Sequence, residues 1–365
     1  MIKKAIISGG GTGGHIFPAI AIADEIKRRN PDAEILFVGA EGKMEMEKVP
    51  AAGYEIKALP IAGFQRKFAW SNFALPFKII GSMIKARRIV KKFKPEVTVG
   101  VGGYASGPTV KAATMIGVPS MVQEQNSFPG KTNKILSKSV QTICVAYDGL
   151  DRFFPKEKIV LTGNPTRREM VSIEGKEAEG YKFYDFDPNK KTVLIIGGSL
   201  GARTLNESVI ANLEKLKESG VQVLWQCGKL YHDKLENELK GTDLGSIKMV
   251  QFITRMDLAY AIADVVISRA GAISISELCL IGKPTILVPS PNVSEDHQTK
   301  NAMALVSKDA AVLVRDVEAK EKMVDEVLSL LSDDSKCESL MKNITSLGKP
   351  NATASIVDEL EKLKK

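Results

Sequence analysis

The sequence predicts an α/β protein of two Rossmann-like units, parallel sheets flanked by helices and facing a cleft. Three observations predict it. Short apolar runs alternate with helical patterns along the chain; the first run leads into the glycine loop Gly9-Gly10-Gly11-Thr12-Gly13-Gly14; and the plan restarts at residues 191–196 with a second glycine turn, Gly197-Gly198-Ser199-Leu200-Gly201. Alternation of strand and helix with Gly-rich first turns is the pattern of parallel βαβ units. A chain of 365 residues also exceeds what one core usually covers.

In the first half, apolar runs predict strands at 4–8, 34–38, 97–101, 120–123 and 142–145, with helices between them. Phe17 to Glu25 reads as the helix that opens after the first glycine loop, with Pro18 near its first turn. In the second half, strands are expected at 191–196, 221–226, 248–251, 265–268 and 285–289, with a helix from about Thr204. The joint is placed at Gly163-Asn164-Pro165. Residues 1–164 are expected to form one domain and 165–345 the other, with a C-terminal helix over about 346–365 packing back on the first.

At 44% hydrophobic and 26% charged, the composition is that of an ordinary globular protein. Met1-Ile2-Lys3-Lys4 runs straight into the first strand, so no signal peptide is expected. The most apolar stretch, near Ala74 to Ile84, is interrupted by Lys78 and too short to span a bilayer. Cys144, Cys227, Cys279 and Cys337 lack metal-ligand spacing, which suits a reducing cytoplasm and argues against structural zinc.

Charge is unevenly shared. Residues 1–164 hold 24 Lys and Arg against 13 acids, whereas the remainder holds 27 against 30. Nine of the basic residues lie between Phe64 and Lys94, a stretch with no acid that also carries Phe64, Phe68, Trp70, Phe73 and Phe77. Cations interleaved with aromatics suit an anionic membrane surface, at roughly 1 kcal/mol per Lys or Arg near it. Nucleic acid draws on the same residue types. From Lys78 onward the stretch also reads as an ordinary amphipathic helix with a solvated basic face. The Pro- and Gly-containing part from Phe64 to Phe77 lacks helical spacing, and membrane contact is favoured there.

The loops at strand C-termini carry the chemistry, since ligands of open α/β sheets bind there. Gly9 to Gly14 lets backbone N–H groups approach a phosphate at a helix N-terminus, and His15 adds a titratable group. Gly102-Gly103-Tyr104-Ala105-Ser106 is a second glycine loop, fit for another phosphate. Glu124-Gln125-Asn126 concentrates a carboxylate and two amides. Glu277, following the stretch Ala270 to Ser276 with its small residues at the strand end, suits two vicinal ribose hydroxyls, and Gln298 lies in a loop able to read sugar hydroxyls. Asp185-Phe186-Asp187 spells a metal-binding D-x-D, but it precedes a strand in a Pro- and Asn-containing turn, and turn chemistry explains it.

These segments, together with Gly163-Asn164-Pro165-Thr166-Arg167 and Asp296-His297-Gln298-Thr299-Lys300-Asn301-Ala302, resemble the MurG family in order and spacing from Met1 to about Ala302. The resemblance implies a GT-B architecture and transfer of N-acetylglucosamine from UDP-N-acetylglucosamine to lipid I, forming lipid II at the cytoplasmic face of the cell membrane. It places Ile253 near the uracil, Glu277 on the ribose, Ser199 and the backbone of Ala272, Ile273, Ser274, Ile275 and Ser276 at the diphosphate, and Arg167 and Gln298 in the same pocket. Thr12, Gly13, Gly14 and Asn126 would cover the donor sugar. Gly10, Gly11, Gly102, Gly103 and Tyr104 would take the acceptor pyrophosphate. No cofactor, metal or nucleic acid is implied; the partners are the two substrates and the anionic inner leaflet, with other cell-wall synthesis proteins left open. Two departures stand out: Gln123 replaces a His that many relatives carry, and Leu200 replaces a Gln.

Inverting transfer needs a base for the acceptor hydroxyl and a cationic or dipolar site for the leaving UDP. His15 is the candidate base and Glu124 the alternative. A nicotinamide-dependent oxidoreductase fits poorly, because Glu34 precedes the second strand and Glu41 follows it in a loop. A UDP-sugar epimerase of the same fold is the closest rival among enzymes, but it would have no need for the basic aromatic segment.

Overall fold

The computed structural model describes residues 1–61, 75–166 and 172–364, the side chains of 75–77 and 294 excepted. They form two compact units, Met1–Thr166 with Lys349–Lys365, and Arg167–Gly348.

Among the described residues, the first unit holds seven parallel strands: β1 (Lys4–Ser8), β2 (Glu34–Ala40), β3 (Glu55–Leu59), β4 (Val97–Gly100), β5 (Ser120–Glu124), β6 (Thr142–Val145) and β7 (Ile159–Leu161), ordered β3-β2-β1-β4-β5-β6-β7. Helices α1 (Gly13–Arg29), α2 (Glu45–Ala51), α3 (Leu75–Phe93), α4 (Ser106–Met115) and α5 (Lys131–Leu136) connect them. The inner strands are buried on both faces, which explains why they read as continuous apolar runs rather than alternating ones. Strand order reverses between β1 and β4, and the two glycine loops leave the sheet at that switch point.

Helix α1 begins at Gly13, four residues before the expected Phe17, so Pro18 lies inside it. Having no N–H, Pro18 leaves the Gly14 carbonyl without its intrahelical donor. The C-terminal helix Ala352–Leu363 belongs to this unit: Ile356, Val357 and Leu360 are buried with Ile22 and Ile26 of α1. Arg29 fixes it by hydrogen bonds to Asp358 (2.7 Å) and the Ala354 carbonyl (2.9 Å).

Helix α3 has the buried face expected of an amphipathic helix, and an outer face that is not purely polar. Ala86 and Val90 are buried against the sheet, whereas Ile80 and Ile84, one turn apart, are 58% and 49% exposed beside exposed Lys85, Arg88 and Lys92. Phe64, Phe68, Trp70 and Phe73 fall outside the described residues, and Phe77 lies in α3.

The second unit repeats the plan with β8 (Thr192–Ile196), β9 (Gln222–Gln226), β10 (Ile247–Val250), β11 (Val265–Ser268), β12 (Thr285–Leu287) and β13 (Val312–Leu313), ordered β10-β9-β8-β11-β12-β13 and parallel throughout. Its core centres on fully buried Trp225, whose indole N–H donates to Asn206 Oδ1 at 2.9 Å, so the largest apolar side chain carries no unpaired polar atom. The switch point lies between β8 and β11.

Candidate functional site

Each unit presents its own cluster of loops at its switch point. In the first, the loops after β1 and β4 approach so closely that only glycine fits: a Cβ on Gly103 would fall 2.4 Å from the Gly10 carbonyl oxygen, and one on Gly9 would fall 2.1 Å from Val101 Cγ2. His15, in the first turn of α1, lies over the second loop, since a Cβ on Gly102 would sit 2.8 Å from its Cδ2 and Nε2. Its Nδ1 is 3.0 Å from the Gly10 carbonyl oxygen and 3.3 Å from Thr12 Oγ1. A carbonyl only accepts, so Nδ1 carries the proton of the neutral ring and Nε2 keeps a lone pair, the arrangement a general base requires. The first turn of α1 contains no acid, and Tyr104 is 48% exposed on the neighbouring loop.

Glu124, the alternative base, is enclosed. Oε1 accepts from the Asn126 amide N–H (3.0 Å) and Nδ2 (3.1 Å), and Oε2 from the Gly130 N–H (3.1 Å) and Asn133 Nδ2 (2.9 Å). Burial raises its carboxyl above the usual carboxylate range, while these donors oppose the rise. With both oxygens occupied, Glu124 orders the loop that carries Asn126. Gln123 is buried too, bridging Asn164 Oδ1 (3.0 Å) through its Nε2 and accepting from Gln125 through its Oε1.

In the second unit the turn after β8 is packed against the one after β9: a Cβ on Gly228 would lie 2.1 Å from Gly201 Cα, and one on Gly201 would lie 2.2 Å from the Cys227 carbonyl oxygen. Ser199 and Leu200 are left exposed at its tip. The helix Ala272–Ile281 opens after β11 with no acid in its first turn. Ile275 already donates its N–H to the Gly271 carbonyl (2.9 Å) and its side chain is buried, so the part of Ala272 to Ser276 open to a diphosphate is the first turn around Ile273 and Ser274. The Ser276 hydroxyl donates to the Ala272 carbonyl (3.0 Å).

Glu277 is 9% exposed, with the phenol of buried Tyr260 3.5 Å from its Oε2. Ile253 is buried and its N–H donates to Gln226 Oε1 (3.0 Å). Gln298 Oε1 accepts from the Ser290 N–H (2.8 Å), tying its helix to the loop after β12. Arg167 lies outside the described residues. The D-x-D carboxylates serve the turn: Asp185 pairs with Lys248 (2.8 Å), and Asp187 accepts from the Asn189 backbone N–H (2.9 Å) and Nδ2. Among the described residues no cluster of three or more His, Cys, Asp or Glu could hold a metal ion.

Several supporting residues escaped the sequence. Glu45 accepts from the Gly11 N–H at 2.8 Å, and Arg269 donates to the Val288 carbonyl (2.9 Å) and to Asp316, which also accepts from the Thr204 hydroxyl (3.0 Å). One guanidinium and one carboxylate thus join the loops after β11, β12 and β13 to the helix after β8. No spacing marks such residues, because their role depends on loops brought together from distant parts of the chain.

Residues 5–145 match the glycosyltransferase family 28 N-terminal domain, and residues 192–359 match the glycosyltransferase family 28 C-terminal domain. The chain belongs to glycosyltransferase family 28. It is 53% identical over 99% of its length, and 97% of the relative's, to the UDP-N-acetylglucosamine–N-acetylmuramyl-(pentapeptide) pyrophosphoryl-undecaprenol N-acetylglucosamine transferase of Flavobacterium psychrophilum. The enzyme of the same name from Cytophaga hutchinsonii is 54% identical over 98% of this chain and 96% of its own. The crystal structure of Acinetobacter baumannii MurG is similar with a TM-score of 0.80 and 29% identity, 99% of each chain being covered. A UDP-N-acetylglucosamine 2-epimerase from Neisseria meningitidis aligns at a TM-score of 0.67 over 98% of this chain and all of its own, but with 15% identity it shares the fold alone. The glycosyltransferase reading therefore stands over the epimerase one, and the family 28 fold is the expected GT-B architecture.

Proposed function

We propose that this family 28 enzyme transfers N-acetylglucosamine, with inversion, from UDP-N-acetylglucosamine to lipid I, undecaprenyl-pyrophosphoryl-N-acetylmuramoyl-pentapeptide, giving lipid II for peptidoglycan. The observation that carries the reading is identity above one half, over nearly the full length, to enzymes named for that reaction. The geometry agrees with it. His15 Nε2 takes the proton of the acceptor hydroxyl as its oxygen attacks the anomeric carbon; the bond from that carbon to the diphosphate oxygen breaks, and UDP leaves with the electron pair. The first turn of the helix Ala272–Ile281 and Ser199 meet the negative charge, Glu277 holds the ribose, and the glycine loops around Gly10–Gly11 and Gly102–Tyr104 receive the acceptor pyrophosphate through groups other than the Gly11 N–H, which Glu45 already holds. In this reading the diphosphate needs no resident metal.

The acceptor's polyprenyl tail explains the outer face of α3. Moving that tail from an apolar environment into water costs about 0.8 kcal/mol per CH₂, so the enzyme comes to the membrane and the lipid stays in it. Exposed Ile80 and Ile84 beside lysines and arginines extend the basic aromatic segment, and we assign both to the anionic cytoplasmic leaflet. No described helix is long and apolar enough to cross a membrane.

The decisive assay combines purified protein, radiolabelled UDP-N-acetylglucosamine and a lipid I analogue, with and without chelator. Labelled disaccharide lipid formed despite chelator is the expected result; label that changes only its sugar epimer, without acceptor, overturns the reading. Replacing Phe68, Trp70 and Phe73 with Ser is expected to reduce sedimentation with anionic vesicles and activity on membrane-embedded acceptor, while sparing a short-chain soluble analogue. Unchanged sedimentation refutes the membrane assignment.

A further inference from the structure

We propose that Glu45 is a positioning residue for His15, acting through the Gly10–Gly11 peptide. Glu45 opens α2 and is 1% exposed. Its side chain runs back beneath the end of β2, where a Cβ on Gly39 would lie 2.6 Å from its Cγ. Oε1 accepts from the Ala40 N–H at 2.9 Å and Oε2 from the Gly11 N–H at 2.8 Å. The carboxyl group occupies the space a side chain on residue 10 would need, since a Cβ there would fall 2.1 Å from its Cδ.

The Gly11 N–H and the Gly10 C=O are the two ends of one peptide unit. That unit is planar and trans, so its N–H and C=O point in opposite directions and neither can turn without the other. Glu45 holds the N–H end; the C=O end accepts from His15 Nδ1 at 3.0 Å. The chain of contacts therefore runs from carboxylate to peptide to imidazole, and the plane of the peptide decides where the ring is anchored. Gly103 lies against the same carbonyl from the neighbouring loop, which leaves little room for the plane to turn.

The choice of a carboxylate has a physical reason. It offers two acceptor oxygens and no donor, matching two backbone N–H groups, and it accepts more strongly than a neutral group would. Hydrogen bonds in series polarise one another, so an anion at the N–H end makes the Gly10 carbonyl a better acceptor for Nδ1–H. That favours the tautomer with Nε2 unprotonated, and it steadies the imidazolium once Nε2 has taken a proton. The arrangement also accounts for an acid close to an expected anion cradle: the cradle's Gly11 amide serves Glu45, which shapes the loop.

The effect on rate rests on the reading of His15 as base, whereas the effect on the ring does not, and the experiment separates them. In Glu45→Gln one amide oxygen replaces two carboxylate oxygens, so one backbone N–H loses its acceptor. The tautomer of neutral His15 is read by nitrogen–carbon correlation NMR, its signals identified among the three histidines by their loss in His15→Gln. The proton is expected on Nδ1 in the parent and shifted toward Nε2 in Glu45→Gln, with kcat down by about tenfold to a hundredfold, as for removal of an outer partner of a functional histidine. UDP affinity, read in the second unit, should stay unchanged and report a folded chain. An unchanged Nδ1–H tautomer overturns the proposal. A shifted tautomer with parental kcat supports it and removes His15 from the role of base. If Glu45→Gln does not fold, the tautomer in Glu45→Asp, one CH₂ too short to reach both amides, decides by the same two results.

Discussion

In the first unit the glycine turn after the first strand is fastened by side chains in addition to its close main-chain packing on Gly103, whereas in the second the fastening is by main chain. Glu45 holds the Gly11 N–H and His15 the Gly10 carbonyl. After β8, Gly201 and Gly228 lie back to back, and the Ser199 and Leu200 carbonyls accept from Lys229 and Leu230 at 3.1 and 3.2 Å. Two turns that look alike in sequence therefore differ in what can move them. A turn held in part by a carboxylate and an imidazole loses a fastening with one side-chain change and is tied to a proton-carrying group. A turn held by backbone presents fixed dipoles, which suits a diphosphate that needs a constant field and no proton.

The largest expected effect breaks the first turn's chemistry and leaves the second's binding alone. His15→Ala should lower turnover by roughly 10² to 10⁴ if the ring is the base, with UDP affinity by calorimetry unchanged. Near-parental turnover at saturating acceptor would assign the proton to another group. Glu124 is a poor substitute, because four donors already occupy its oxygens.

The mirror-image test perturbs the second turn. Gly228 has φ +86° and no room for a Cβ, so Gly228→Ala must push backbone apart; a loss of about 2 to 4 kcal/mol in urea unfolding is expected, with weaker UDP binding. Gly198 is the control: φ is +85° but nothing lies within 4 Å of its Cβ position, so Gly198→Ala carries only the left-handed backbone cost, about 1 to 2 kcal/mol. Equal losses would mean that glycine-on-glycine packing is not what fastens this turn.

The comparison also shows where sequence reading succeeds. Strands β1, β6 and β11 lie where apolar runs placed them, because inner strands of a parallel sheet are buried on both faces. The strands that went unread are β3, β7 and β13. β3 and β7 are the edges of the first sheet and β13 is one edge of the second; Glu55-Ile56-Lys57-Ala58-Leu59 alternates, and the other two, although apolar, are only three and two residues long and too short to stand out as strands. The glycine loops and His15 were legible because backbone approach and titration require particular residue types. Glu45 was not: it is one of three acids in Glu41-Gly42-Lys43-Met44-Glu45-Met46-Glu47, and only the fold buries it.

A smaller effect sharpens the account of the second unit. Glu277→Ala should weaken UDP binding by about 1 to 3 kcal/mol, the loss of hydrogen bonds to a charged group. Tyr260→Phe should cost less, since that phenol only approaches the carboxylate at 3.5 Å. Unchanged UDP affinity in Glu277→Ala would move the ribose contact elsewhere.

The smallest effect compares how the two units respond to acid. Hydrogen bonds from Arg28, joined by Arg29, pull the Glu25 carboxyl on α1 down to about 2, against the effect of burial. A carboxyl with a lowered folded value contributes stability that is present above its unfolded value, 4.5, and is lost as pH falls toward about 2. Arg28 is 64% exposed, so solvent screening reduces the contribution to roughly 1 to 2 kcal/mol. The second unit has its own counterpart, Asp257, which the hydrogen bond from Arg255, together with Lys176, holds well below the usual carboxylate range. Hydrogen exchange of α1 and of the helix Ala352–Leu363 in mild urea, divided by the intrinsic amide exchange rate at each pH, should therefore rise as pH falls from 4.5 toward about 2, and Glu25→Gln should flatten that rise. Peptides of the helix Met256–Ile262 should keep the parental acid response in the same variant, because their charge pairs are untouched. A rise in α1 exchange that survives Glu25→Gln would mean that other carboxylates govern the first unit's acid loss, and Glu96, held below its usual range by the Lys3 amide and Lys364, would be the next to replace.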